Sequence, residues 1–196
     1  MIRSFLAIEL PEALKEVISG YIRALRQVPS AIKWVSANQT HLTLKFFGAI
    51  APETVERISR VLEKVVSDYP RFNLFLKGIG AFPHLFRPRV IWTGLQGNTE
   101  SLQGFHRVIE QALVPLGIPS EGRPFHPHLT LGRNKLNQVN EPLFRLLSHW
   151  PETESPSFRV EEVILFRSDL KPGGPVYTKL GVFPLNPHAG VGTGEA

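Results

Sequence analysis

The sequence of 196 residues contains no cysteine, a single methionine and only two aspartates, Asp68 and Asp169. Without cysteine the chain cannot build a disulfide scaffold, a thiolate zinc site, an iron–sulfur ligand set or a cysteine nucleophile. Hydrolases that hold two metal ions bind them with clustered carboxylates, so the scarcity of aspartate argues against such a site. No run of about 18 apolar residues occurs, which excludes an obvious membrane-spanning helix. Glu9 interrupts the apolar start of the chain, so no export signal is expected.

The composition is that of a globular protein, with 42% hydrophobic and 20% charged residues. Lysine and arginine number 22 against 17 acidic residues, which gives a formal net charge of +5. This balance favours polyanionic partners without requiring one. We expect a cytoplasmic protein that does not associate with membranes, and a monomer.

Short apolar runs and helical periodicities alternate irregularly along the chain. Helices are predicted after Pro11 and Pro52, over 102–113 and over 141–149. Strands are predicted at 2–9, 32–35, 41–47, 72–79, 89–95, 128–132, 158–167 and 175–183. Gly48 is expected to end the third strand, and the small, polar segment 187–196 is expected to be a flexible tail. Several neighbouring strands are joined too tightly for parallel crossovers, which predicts an α+β fold with mostly antiparallel sheets.

One tetrapeptide occurs twice, as His41-Leu42-Thr43-Leu44 and as His128-Leu129-Thr130-Leu131. Successive side chains of a strand point to opposite faces, so each copy places an imidazole beside a hydroxyl on one face. A single copy would be explained by ordinary packing of a half-buried strand. Two copies separated by nearly half the chain predict two lobes whose His/Thr faces meet across a cleft. One imidazole can then be a neutral base while the other is a protonated acid, because the unperturbed pKa of histidine is about 6.5.

The segments HLTLKFFG (41–48) and PHLTLGR (127–133) resemble the paired H-x-T-x signatures of the 2H phosphoesterase superfamily. The opening RSFLAIELPE and the segment FPHLFRPRVIWTGL (82–95) are similar to its branch of RNA 2′,3′-cyclic phosphodiesterases, also called 2′-5′ RNA ligase-like or LigT-like proteins. The resemblance implies a bilobal α+β fold with two pseudo-symmetric, mostly antiparallel sheets flanked by helices around a central cleft. It implies one domain over 1–186, made of two interleaved lobes with one motif each.

The resemblance also implies an activity, the hydrolysis of RNA 2′,3′-cyclic phosphate ends to 2′-phosphate ends, without metal or cofactor. Some members join or cleave 2′-5′ linked RNA halves, tRNA among them. In the family pattern His41 is the proton donor and His128 the proton acceptor, while Thr43 and Thr130 bind phosphate oxygens. Arg133 corresponds to a substrate-binding arginine and Phe46 to an aromatic residue that packs on the nucleotide. The sequence by itself does not decide which histidine is the acid.

Other residues near the motifs are weaker candidates. Arg87 and Arg89 could hold phosphate at the rim of the cleft, although loop arginines are usually only solvated. His126 forms an H-x-H with His128, but no third metal ligand is visible, so we interpret His126 as a substrate contact at the edge of the cleft. Trp34 and Trp92 lie in predicted strands and are expected in the core.

Two other functions stay open at this point. The protein could bind RNA or act in a ligase-like way, with hydrolysis only incidental. It could also open a cyclic phosphate on a smaller nucleotide, such as an ADP-ribose derivative. The intact pair of motifs favours catalysis, since binding alone would not need two imidazoles.

Overall fold

The structure is a computed structural model, and it describes residues 1–136, 140–172 and 174–188. The elements are, in chain order, β1 (Ile2–Glu9), α1 (Glu12–Leu25), β2 (Ile32–Trp34), β3 (His41–Ile50), α2 (Pro52–Ser67), β4 (Phe72–Phe82), β5 (Val90–Gly97), α3 (Thr99–Leu113), β6 (His128–Asn134), α4 (Glu141–Ser148), β7 (Phe158–Val160), β8 (Glu162–Lys171) and β9 (Gly174–Pro184). Short 3₁₀ helices lie at Ala37–Gln39 and Val114–Leu116.

The strands form two sheets. The first has four strands in the order β3-β1-β8-β9, and the second has five in the order β2-β6-β5-β4-β7. Every strand pair within the two sheets is antiparallel. The predicted α+β class with antiparallel sheets flanked by helices is confirmed.

A large apolar core joins the two sheets to the helices, and a smaller cluster of Phe5, Ala7, Ile164 and Phe166 lies apart from it in the four-stranded sheet. Helix α1 contributes Leu14, Ile18, Ile22 and Leu25, which recur at three- and four-residue intervals and therefore share one face. Leu129 and Leu131 of β6 are buried in the same core, as are the corresponding leucines of β3. The apolar alternation of both motifs thus fixes their strands on the core and turns the His/Thr face away from it.

Strand β3 runs past Gly48 to Ile50, so the prediction that Gly48 ends the strand was wrong. Gly48 has a φ of 69°, a backbone conformation that glycine adopts without strain. Ser4 pairs with Gly48 and Phe5 with Phe46, which leaves Phe47 without a partner in β1. Gly48 therefore belongs to a bulge inside the strand.

The strand predicted over 158–167 is two strands that belong to different sheets. Phe158–Val160 pairs with β4 in the five-stranded sheet, whereas Ser4 to Ala7 pair with Ile164 to Arg167 of β8 in the four-stranded sheet. The chain changes sheets at Glu161, and an apolar pattern alone does not reveal which neighbour each half will pair with.

Of the predicted tail, residues 189–196 lie outside the described residues, as does Gly173 of the turn between β8 and β9. None of the described helices combines the length and hydropathy that a membrane span requires.

Candidate active site

The two copies of the tetrapeptide lie on strands of different sheets that approach each other. His41 and Thr43 are on β3 of the four-stranded sheet, and His128 and Thr130 are on β6 of the five-stranded sheet. Cα atoms of β3 and β6 come within 8 Å of one another. All four side chains line one cavity of about 1470 Å³.

The two imidazoles are held by the same hydrogen bond. Nδ1 of His41 donates to the carbonyl oxygen of Gln39 over 2.9 Å, and Nδ1 of His128 donates to the carbonyl of His126 over 2.7 Å. A carbonyl oxygen only accepts, so Nδ1 carries the proton in both rings. Among the described residues nothing hydrogen-bonds to Nε2 of either ring, so Nε2 is the nitrogen available for chemistry. It is a base when the ring is neutral and a donor when the ring is protonated.

Each motif ends in a β-bulge, and the extra residue of the bulge is the second leucine of the motif. On β3, Thr43 pairs with Ala7 and Lys45 with Leu6, which leaves Leu44 as the extra residue. Strict alternation would place the side chain five residues after the histidine on the face opposite the histidine. Because of the bulge, that side chain lies on the same face as the histidine. Phe46 faces Phe5 and shares the His41 side of the sheet.

The same bulge occurs on β6. Thr130 pairs with Trp92 and Gly132 with Ile91, so that Leu131 is the extra residue. Arg133 then pairs with Val90, two residues before Trp92, and shares the His128 face. Phe46 and Arg133 thus hold equivalent positions in the two halves of the site.

His41 lies in an aromatic environment. Its ring stacks on Phe5 with centroids 4.6 Å apart and meets the edge of Tyr177 at 5.2 Å. Burial lowers the pKa of His41 below its usual value, against a smaller opposing effect of the Gln39 hydrogen bond and the charge of Glu9. Glu9 is the direct partner of His41 across β1 and β3, and its carboxylate pairs with Lys179 at 2.6 Å.

His128 has fewer aromatic contacts. Phe82 meets it edge-on at 5.1 Å, and Trp92 lies 6.3 Å away. The indole of Trp92 lies where a side chain at Gly80 would be, so this crossing requires glycine. The neighbouring His126 and Arg133 are exposed.

The structure brings most of the predicted site residues together. The cavity is lined by His41, Thr43, Phe46, His126, His128, Thr130 and Arg133. Arg87 and Arg89 are exposed residues before β5 that do not line it. Both tryptophans are half-buried. Trp34 packs against the apolar core, as expected, and also lines the cavity.

Sequence reasoning missed Tyr177, which lines the cavity from β9. Burial raises the pKa of the Tyr177 phenol, and the positive charges of Arg133 and Arg3 oppose that effect. Its hydroxyl therefore stays protonated near neutral pH and can donate a hydrogen bond. Tyr177 is an unremarkable strand residue in sequence, so no local signal identifies it.

A buried ion pair supports the loop that leads to the second motif. Nζ of Lys45 lies 2.7 Å from Oε1 of Glu110 on α3 and donates to the carbonyl of Pro119 over 2.8 Å. Oε2 of Glu110 accepts the backbone N–H of Glu121 over 2.7 Å. His106 stacks on Phe125 with centroids 4.0 Å apart. A lysine inside the first motif's strand thus anchors the segment that precedes His126.

The cavity also extends beyond the two motifs, toward α1 and β2, where Arg23, Arg26 and Lys33 line it. Arg123 lines it from the loop before β6. Among the residues that the structure describes, no three histidine, aspartate or glutamate side chains are grouped as metal ligands would be.

Comparison with known proteins gives consistent results. A sequence model of the 2′-5′ RNA ligase superfamily matches residues 12–172. A protein of Methanothermobacter thermautotrophicus named RNA 2′,3′-cyclic phosphodiesterase is 35% identical, over 94% of this chain and 99% of its own length. An Aeropyrum pernix protein of the same name is 34% identical, over 76% of this chain and 84% of its own.

A solved structure extends the likeness to three dimensions. The crystal structure of E. coli LigT complexed with 3′-AMP has a TM-score of 0.74 and 28% identity, and covers 94% of this chain and 98% of that one. The resemblance that the two motifs carry is confirmed. The chain belongs to the 2′-5′ RNA ligase superfamily.

Proposed function

We propose that this protein is an RNA 2′,3′-cyclic phosphodiesterase that converts cyclic phosphate ends to 2′-phosphate ends with two histidines and no metal ion. The observation that carries the proposal is the pair of His/Thr faces on β3 and β6, which line one cavity with both Nε2 atoms free. The names of the relatives support the same reaction.

The reaction needs a base on one side of the phosphorus and an acid opposite. Nε2 of His128 takes a proton from water as the water oxygen forms its bond to phosphorus. The bond from phosphorus to O3′ breaks, and O3′ receives the proton of Nε2 of His41. The 2′-phosphate remains, His128 is left protonated and His41 neutral, and exchange with solvent restores both.

Charge that builds on the non-bridging oxygens needs hydrogen-bond donors. Thr43 and Thr130 offer one hydroxyl from each strand, and Arg133 offers a forked guanidinium on the His128 face. Phe46 is 49% exposed and offers an aromatic ring for packing on the terminal base. His126 is a further polar contact at the edge of the cavity.

The role of His41 as acid requires it to be protonated when the substrate is bound. Burial holds its pKa low in the free protein, so the neutral ring predominates near neutral pH. An anionic phosphate next to the ring opposes that effect, because an opposite charge favours the protonated form. Substrate binding therefore supplies the condition under which His41 acts as a donor.

RNA ends are favoured over a small nucleotide such as an ADP-ribose cyclic phosphate. The cavity of about 1470 Å³ is larger than the ~300–1,000 Å³ typical of a small-molecule site. Ligation of 2′-5′ linked RNA halves is a second candidate, favoured by the superfamily to which the chain belongs. It uses the same two histidines in the same roles. Nε2 of His128 takes the proton of a 5′-hydroxyl, whose oxygen bonds to phosphorus in place of water, while the bond from phosphorus to O3′ breaks and O3′ receives the proton of His41.

The deciding experiment is product analysis on an oligonucleotide with a 2′,3′-cyclic phosphate end, with and without EDTA. We expect a 2′-phosphate end at an equal rate in both. Loss of turnover in EDTA that a divalent ion restores would contradict metal independence. A 3′-phosphate product would contradict the assignment of the leaving oxygen, and an inert end that binds tightly would favour a binding protein. An added acceptor RNA reports ligation as a longer product.

We extend the proposal to the molecule as a whole: a cytoplasmic monomer in which residues 1–186 form one folding unit. The large apolar core that both sheets share supports one unit. Sedimentation at the mass of 22.0 kDa and one thermal transition are the expected results. Recovery of the native protein in the soluble cytoplasmic fraction is the expected localisation.

A further inference from the structure

We propose that the part of the cavity between α1 and β2 binds the phosphodiester backbone of the RNA upstream of the reacting end. This inference rests on the proposed function. A 2′,3′-cyclic phosphate occupies the 3′-terminal ribose, so the rest of the RNA continues only through the 5′-oxygen of that nucleotide. A strand held at the two histidines must therefore leave the site in one direction, and the basic extension of the cavity gives it a path.

Helix α1 turns one polar stripe toward the cavity. Ser19 and Arg23 of α1 line it, together with Arg26 and Gln27, which follow directly after the last residue of the helix. The four residues are spaced by three, four and seven or eight positions, which places them on one side of the helix and its C-terminal turn. Both arginines are exposed, and neither has an ion-pair partner among the residues that the structure describes. Their charges are available to an anion in the cavity.

Two further cations face each other across strands β2 and β6. Lys33 pairs directly with Arg133 in the antiparallel register, so the two side chains share one face, and both line the cavity. Like charges directly opposite on neighbouring strands destabilise a sheet. An anion between them removes that repulsion. Because Arg133 also shares the face of His128, this pair connects the basic extension to the reacting centre.

The charge of the cavity exceeds what one terminal phosphate needs. Arg23, Arg26, Lys33, Arg123 and Arg133 line it without a carboxylate within 4 Å among the described residues. Lys45 is neutralised by Glu110, and Glu121 is the acidic residue that the described lining contains. A single nucleotide end brings one phosphate, whereas a strand brings one for every further nucleotide. The surplus of cations therefore points to an oligonucleotide.

The test compares substrates of different length. kcat/KM is measured for a nucleoside 2′,3′-cyclic phosphate and for cyclic-phosphate-ended oligonucleotides of two, four and six nucleotides. We expect kcat/KM to rise with length through a lower KM, while kcat stays constant. In the triple variant Arg23→Gln/Arg26→Gln/Lys33→Gln, the ratio of the hexanucleotide value to the nucleoside value should fall about tenfold, since each exposed ion pair contributes a factor of roughly two to three.

Salt gives an independent readout. The slope of log KM for the hexanucleotide against log salt concentration should decrease by about 2 in the triple variant, because each contact to a single-stranded phosphate contributes about 0.7. The matched control is Arg57→Gln/Arg60→Gln/Lys64→Gln, which removes three exposed cations from α2, outside the cavity lining. The control should keep the wild-type length ratio and salt slope.

Each outcome decides the proposal. The proposal is overturned if the wild-type kcat/KM for the hexanucleotide is about equal to that for the nucleoside substrate. It is also overturned if the triple variant has the same ratio and the same salt slope as the wild type. An equal loss in the control variant also overturns it, since that would assign the effect to net charge alone. Failure of the wild type to hydrolyse even the nucleoside substrate refutes the proposed function itself. All exchanged side chains are exposed, so both variants should keep the wild-type Tm.

Discussion

The two halves of the site share a backbone plan and differ in what surrounds it. Both strands carry the same tetrapeptide, the same Nδ1 to carbonyl hydrogen bond and the same bulge at the second leucine. Around His41 the neighbours are Phe5 and Tyr177, whereas His128 has Phe82 and Trp92 beside it and the exposed Arg133 on the same face. The duplicated part therefore orients the catalytic groups, and the unduplicated part gives each histidine its own surroundings.

The difference extends to the residue four positions after each histidine. On β3 it is Lys45, whose buried ammonium reaches Glu110 and the Pro119 carbonyl. On β6 it is Gly132, where an added Cβ would lie 2.6 Å from Ile32 and 2.7 Å from Trp34. On β3, Lys45 therefore holds the loop that precedes β6. On β6, Gly132 leaves room for β2, the strand that carries Lys33.

The strongest expected effect is on the two histidines themselves. His41→Ala and His128→Ala should each lower kcat by about 10²–10⁴-fold, the usual contribution of a positioned acid or base. Single-turnover assays measure the loss, and circular dichroism checks that the fold is kept. His149→Ala is the control, because this exposed histidine at the end of α4 lies outside the cavity lining. Near-normal turnover in either site variant would refute the acid–base pair.

The second prediction concerns the buried ion pair of Lys45 and Glu110, which connects β3 to the loop before β6. Glu110→Gln leaves the buried Lys45 ammonium without its counter-charge, and such a loss costs about 3–5 kcal/mol in the free energy of unfolding. Urea denaturation measures it. Glu56→Gln is the control, because Glu56 pairs with Arg60 at the surface and exposed pairs contribute only about 0.2–1 kcal/mol. Equal losses in both variants would contradict a structural role for the buried pair.

The third and smallest prediction sharpens the assignment of acid and base. The Glu9 carboxylate raises the pKa of His41, so Glu9→Gln lowers that pKa further. With His41 as proton donor, activity is lost as pH rises through its pKa. The alkaline limb of the kcat/KM profile should then move to lower pH, because removal of the Glu9 charge leaves burial less opposed.

Lys179→Gln is the matched reversal. Removing this partner leaves the Glu9 charge uncompensated, so the alkaline limb should move to higher pH. If both variants instead move the acid limb, His41 is the base and the two roles must be exchanged.

Those parts of the fold and the site that depend on local pattern could be predicted from the sequence. The repeated tetrapeptide, its alternation and the short connections predicted the antiparallel sheets and the His/Thr faces. Strict alternation, however, assigns Phe46 to the face opposite His41, and only the bulge at Leu44 reverses that. The bulge arises from pairing with β1, which lies far away in sequence.

Other features depend on contacts between distant segments. Lys45 and Glu110 are 65 positions apart, and nothing local in either helix or strand shows that they will meet. Arg23 and Arg26, near and just after the end of α1, follow an ordinary amphipathic pattern, and their place in the cavity results from how that helix packs. Arg87 and Arg89, which we expected at the rim of the cleft, lie outside the cavity lining, because the position of their loop also depends on tertiary packing.

The bulge after each threonine has a consequence for how such an enzyme can change. It separates the histidine and threonine of each motif from the residue five positions after the histidine, Phe46 in one half and Arg133 in the other, which we propose contacts the substrate. A single substitution at either of these positions alters which nucleotide or phosphate is preferred and leaves the imidazoles and their hydrogen bonds in place. New specificities can therefore arise in small steps from a reaction chemistry that is already complete.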